Sequence, residues 1–184
     1  MNENNENLGI QNHQISEQEV KEFVLQRFND VKQSKKIKNL VNFQAMNKYM
    51  LMSHDQEELK KLGNIVASYK KKTPFIEILE FYESHLKKAL ENPPSIKKHS
   101  NVINHIFGYF SKDFSLDEKR KFFHLLEEYQ DKKITLGEIL SEIHPIIYRF
   151  NNTYLASQTY FLLYSNVPPE FFLIFEPQKQ RTSI

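Results

Sequence analysis

KKHSNVINHIFGYFSK, Lys97 to Lys112, is the most sharply patterned stretch of the chain. Together with Ile96, its apolar residues Val102, Ile103, Ile106, Phe107 and Phe110 recur at helical spacing and predict one amphipathic helix. Lys98, Asn101, His105, Tyr109 and Lys112 recur at steps of three or four and form a second stripe, basic and rich in hydrogen-bonding groups. One face is suited to a core and the other to a partner outside it.

The flanking segments repeat the helical pattern. Ser16 with Glu19, Ser115 with Glu118 and Thr135 with Glu138 have the capping-box spacing, in which each side chain satisfies the other residue's free backbone donor. They predict helices that use Val20, Phe23, Val24, Phe28 and Val31, then Phe122, Leu125, Leu126 and Tyr129, then Ile139, Leu140, Ile143, Ile146 and Ile147. A helix is expected from Lys38 to Met52, broken at Ser53-His54-Asp55, with Asp55 and Glu58 capping its successor. Thr73-Pro74 starts another, Pro93-Pro94 ends it, and Ser95 caps the Lys97 stretch. Pro145 is expected to kink or split its helix. Tyr154 to Tyr164 reads as a short final helix or an extended segment.

With 4 Gly and 7 Pro in 184 residues, there is little material for hairpins. The expectation is all-α: a single compact domain of about seven or eight helices with short connections. Residues 1–15, Asn- and Glu-rich, read as a disordered tail. Residues 16–36 read as a helical extension, 37–165 as the domain, and 166–184, which hold FFLIF, as a tail.

Composition narrows the chemistry. The absence of cysteine removes disulfides, thiolate nucleophiles, cysteine-ligated zinc and iron–sulfur clusters. No signal peptide or membrane span is legible, so a cytoplasmic protein without membrane contact is expected. The seven histidines, at 13, 54, 85, 99, 105, 124 and 144, include no i,i+4 pair, so no metal and no other cofactor is called for. No Gly-x-Ser-x-Gly or glycine-rich phosphate loop occurs, and nothing nominates a catalytic residue. Residues 1–30 hold six acids against two bases, which leaves the remainder basic. Basic clusters at 35–38, 70–72, 97–98, 119–121 and 132–133 suit a phosphate backbone, and Asn, Gln, His and Tyr suit exposed bases. Lysine pairs serve equally to keep helix faces soluble and to complement helix C-termini.

Three blocks carry a resemblance. LVNFQAMNKYMLMSHD (Leu40 to Asp55, followed by Leu62-Gly63), KHSNVINHIFGYF (Lys98 to Phe110) and YLASQTYF (Tyr154 to Phe161) resemble, in order and spacing, the YbgA family of bacterial all-helical domains of unknown function. Two departures stand out. Gln44 and Asn47 occupy positions that are usually histidine in that family, and Leu163-Tyr164-Ser165 replaces its usual Pro-Tyr-Pro. Members also occur fused to an iron–sulfur desulfidase domain acting on 4-thiouridine in tRNA. The resemblance therefore implies a non-catalytic module that binds tRNA or another structured RNA. The contacts it suggests are Gln44, Asn47, Lys48, Lys97, Lys98, His99, Asn101, His105, Tyr154 and Gln158. Two alternatives stay open: an adaptor for a separately encoded enzyme such as a desulfidase, with FFLIF as its handle, and an enzyme with an unrecognised site.

Overall fold

The computed structural model describes residues 15–69 and 73–166, and among these all regular structure is helical. In order the helices are α1 (Glu17–Ser34), α2 (Ile37–Met46), α3 (Lys48–His54), α4 (Gln56–Ala67), α5 (Phe75–Leu90), α6 (Ile96–Phe107), α7 (Leu116–Gln130), α8 (Leu136–Arg149), α9 (Thr153–Ala156) and α10 (Thr159–Tyr164). Eight of the ten have seven or more residues, as the sequence leads one to expect. No helix among the described residues is long and apolar enough to cross a membrane.

Local signals set most of the boundaries. All three capping boxes form, opening α1, α7 and α8. Asp55 accepts from the amides of Glu57 and Glu58 at the start of α4, and Ser95 accepts from that of Lys98 at the start of α6. Four expectations are revised. The Lys97–Lys112 helix stops at Phe107, and residues 108–113 form turns. The Lys38–Met52 helix is two helices, α2 and α3, separated at Asn47. The Phe43 carbonyl accepts both from the Asn47 backbone amide at 3.1 Å and from the Asn47 carboxamide at 2.8 Å, a side-chain bond that competes with continuation of the helix. Pro145 leaves α8 unbroken: its ring faces solvent, and it removes only the hydrogen bond to the Ser141 carbonyl. The segment after Asn151 forms two short helices rather than one. The tail expectations for residues 1–14 and 167–184, FFLIF among them, and the basic run 70–72 lie outside the described residues.

One continuous core joins all of these elements except the outer faces. Phe28, Phe43 and Tyr82 form one aromatic knot, with ring centroids 5.4–6.1 Å apart. Phe107, Phe110, Phe114, Phe122 and Phe150 form another, with Arg149 held 4.6 Å over the Phe150 ring. Each fully buried aromatic contributes about 2 kcal/mol by removal from water. At the centre is α3, whose residues Tyr49 to His54 are all buried. It packs against α2, α4, α5, α6 and α10. So short a helix buried on every side cannot satisfy its ends with water, and both ends require partners from elsewhere in the chain.

Candidate functional site

The partners for α3 come from the other two sequence blocks. At its N-terminus the Gln158 carboxamide accepts from the Tyr49 amide at 3.4 Å and donates to the Ala45 carbonyl at 2.9 Å. At its C-terminus the Lys98 ammonium donates to the His54 carbonyl at 2.6 Å and to that of Pro93 at 3.1 Å. A cation at a helix C-terminus also complements the macrodipole. The central helix is thus held at one end by α6 and at the other by the residue preceding α10, and the three blocks are one structural unit.

Behind these caps is a buried His–Tyr centre. His54 Nδ1 is 3.0 Å from the Asn92 carbonyl and Nε2 is 3.2 Å from the Tyr164 hydroxyl. His99 Nδ1 is 2.9 Å from the Tyr160 hydroxyl, and its ring meets that of Tyr164 edge-on at 5.1 Å. Burial lowers both histidines to about 4. For His54 the Asn92 bond opposes the shift while Lys98 adds to it, and for His99 both His54 and Lys98 add to it. Both rings are therefore neutral at pH 7. His54 then donates from Nδ1 to Asn92 and accepts at Nε2 from Tyr164, because a carbonyl can only accept. Glu17 of α1 places Oε2 3.4 Å from the same Nε2, an ion pair only when His54 is protonated. Burial raises Tyr160 and Tyr164 well above the ordinary phenol value, so both remain donors.

A second charged group is in the interface of α4 and α5. Glu58 is 2% exposed, and its carboxylate meets Lys61 at 2.8 Å, His85 at 2.5 Å and Lys88 at 3.0 Å. Desolvation pushes it up, but the hydrogen bonds from Lys61, His85 and Lys88 prevail and hold it at about 2. It is a solvated ion cluster with one buried member. No group of three or more His, Asp or Glu side chains with metal-binding geometry occurs among the described residues.

The outer face is built differently. The Lys48 ammonium lies 5.4 Å over the Tyr49 ring, and Tyr109 stacks on Tyr154 with centroids 6.1 Å apart. Tyr109 is 43% exposed. His105, one turn earlier on α6, is exposed, as is Lys97, and Asn101 is half-buried with its carboxamide 3.4 Å from that of Gln56. Beside them an open cleft of about 340 Å³ between α2, α3 and α4 is lined by Gln44, Lys48, Gln56 and Lys60.

The ten residues singled out from sequence therefore fall into two groups. Asn47, Lys98, His99 and Gln158 are committed to the fold, and Gln44 is half-buried and accepts from the Tyr82 hydroxyl. Lys97 and His105 are exposed and Lys48, Asn101 and Tyr154 are half-buried, so these five reach the surface. Sequence reasoning passed over His54, which read as part of a helix break, and Tyr160 and Tyr164, which read only as part of a short final helix or extended segment. It also left Tyr109 out of the contact set, although Tyr109 falls on the polar stripe of α6 at four residues from His105. That spacing was the available signal for Tyr109. None existed for the His54–Tyr164 pair.

Two comparisons bear on this arrangement. A family model described as "Protein of unknown function (DUF1722)" matches residues 48–165, which span the second half of the first block and all of the other two. The chain is also similar to the uncharacterized protein YbgA of Escherichia coli (strain K12), with 25% identity over 128 residues, 70% of this chain and 76% of that protein. No solved structure matches.

Proposed function

The chain belongs to the DUF1722 family, and on that premise we propose that it is a non-catalytic RNA-binding module whose ligand is structured RNA, tRNA above all. The observation that carries the reading is the stacked Tyr109–Tyr154 pair beside Lys48, open on one side and flanked by His105. Unpaired bases stack on exposed aromatic rings, and cations beside the rings hold the phosphates. His105, exposed one turn before Tyr109, adds a further hydrogen-bonding group beside the rings. The family resemblance to modules joined to a tRNA desulfidase points the same way. What carries over is the binding role and not the desulfidase reaction, since these 184 residues include no cysteine to hold an iron–sulfur cluster.

Filter binding with bulk tRNA at two salt concentrations tests the reading. Affinity is expected to fall steeply with salt as counterions are released. Tyr109→Ala is expected to weaken binding by roughly tenfold or more, the effect of one lost base stack. Binding indifferent to salt, or unchanged in Tyr109→Ala, overturns it.

A second reading, an adaptor docking on a separately encoded desulfidase, is favoured by an open cleft of about 360 Å³ between α1, α2 and α10. Phe23, Val31, Phe43, Met46 and Leu162 make it largely apolar, with Arg27 at the rim. Met46 is 44% exposed. Co-purification lost in Met46→Glu supports that reading, and retention of the partner by the folded variant removes it.

A further inference from the structure

The outer side of α7 carries a stripe that neither reading above uses. Leu116, Arg120, Phe123, Glu127 and Gln130 recur at alternating steps of four and three, and all five are exposed. They share one face over about 21 Å of helix. Such spacing is the seam along which two helices pack side by side. The residues that α7 gives to the core, Phe122, Leu126 and Tyr129, lie on its other face.

Two of the five are large and apolar: Leu116 is 74% exposed and Phe123 43%. Phe123 is backed by other rings, meeting Phe107 at 4.9 Å and Phe122 at 5.9 Å, both edge-on. A fixed, partly exposed aromatic in the middle of a helix face is the type of residue that anchors an interface. The charges on the stripe are ordered about it. Arg120 stands one turn before Phe123 and Glu127 one turn after. The last turn of α7 contains no base, although the helix dipole favours one there, so the placing of Glu127 is not explained by its own helix. Glu127 makes no ion pair among the described residues. The pair of Arg120 with Asp117, at 3.1 Å, is exposed on both sides and contributes little.

We propose that this face of α7 is an interface between two copies of the chain, packed antiparallel about a twofold axis beside Phe123. The same patch then serves both copies. Arg120 of each copy faces Glu127 of the other, twice by symmetry, and the two Phe123 rings pack together between these pairs. Parallel packing would set Arg120 against Arg120 and Glu127 against Glu127, so the charges select the antiparallel arrangement. The inference does not rest on the RNA reading. One helix pair is at the small, weak end of interfaces, and half-association is expected on the order of 0.1 mM protein.

The test is analytical ultracentrifugation of the full chain at concentrations up to about 1 mM. The wild type is expected to pass from monomer to dimer. Phe123→Glu, which puts two carboxylates beside the axis, is expected to stay monomeric. Arg120→Glu and Glu127→Arg each set like charges together at both ends of the interface and are expected to weaken self-association roughly tenfold or more. An equimolar mixture of those two variants is expected to associate as the wild type does, because each copy then meets the opposite charge. Non-specific apolar association would show no such recovery. A wild type that stays monomeric throughout overturns the proposal and leaves the stripe to a different partner. A dimer that survives Phe123→Glu, or charge variants that associate unchanged, places the contact elsewhere and overturns it as well. A mixture that remains monomeric does the same. Arg120 and Glu127 are exposed, so their variants decide the matter even where Phe123→Glu does not fold.

Discussion

Single residues here divide by what they face rather than by what they are. Lys97 and Lys98 are neighbours in sequence, yet one ends in solvent and the other on two backbone carbonyls. Lys98→Met is therefore expected to destabilise the fold by about 1–3 kcal/mol, the range for a lost hydrogen bond from a charged group, and Lys97→Met by almost nothing. Urea denaturation of both variants decides the matter, and equal losses would refute the assignment of Lys98 as a helix cap. Glu58 makes a comparable case for an acid. Its folded value of about 2 is below the ordinary 4.5, so its contribution is present above pH 4.5 and is lost as pH falls toward 2. Glu58→Gln is expected to cost about 2 kcal/mol at pH 7, and the difference from wild type is expected to narrow as the pH drops below 4.5. A difference that stays constant with pH would mean that packing, not the charge, holds Glu58 in place.

At the scale of elements, what the sequence makes legible is what is local. The capping boxes of α1, α7 and α8 span three residues each, and all three form as read. The stripe of α6 is likewise legible, and its apolar half is the buried half, with Val102, Ile103, Ile106 and Phe110 in the core. What is not legible is which polar residues a buried helix will recruit. The caps on α3 come from 44 residues away for Lys98 and 109 for Gln158, and His54 meets Tyr164 across 110. Periodicity places a residue on a face of its own helix but does not say what the opposing helix needs. For that reason Gln158 and Lys98, chosen from sequence as contacts for an outside ligand, belong to the frame that holds α3 and with it Lys48. Gln158→Leu keeps the volume but removes both hydrogen bonds at the α3 N-terminus. It is expected to lower stability by about 1–3 kcal/mol, each unpaired buried backbone group exacting part of that. An RNA affinity reduced in proportion to the loss of folded protein, and not beyond it, would show that Gln158 acts only through the fold.

Across the whole molecule, the centre joining α1, α3, α6 and α10 is polar, and its two histidines couple folding to pH. His54 and His99 have folded values of about 4, against an ordinary 6.5. Groups lowered in this way bind fewer protons when folded than when unfolded between those limits. Stability is accordingly full above pH 6.5 and is lost as the pH falls toward 4, by up to about 1.4 kcal/mol per pH unit for each histidine. Glu17, raised by desolvation, works in the opposite sense at the acidic end of this window, and its carboxylate beside His54 Nε2 offsets part of the loss once that ring is charged. This window lies above that of Glu58, so the two are separable in one titration. Denaturation midpoints measured at pH 7, 6 and 5 are expected to fall steadily in the wild type and to flatten in His99→Gln, which retains a hydrogen-bonding group for Tyr160 but does not titrate. An identical slope in that variant would place the pH dependence elsewhere. A reduced slope would identify His99 as one of the groups whose protonation is coupled to unfolding. On the RNA-binding reading proposed above, affinity is then expected to fall over the same pH interval only as far as the folded fraction does.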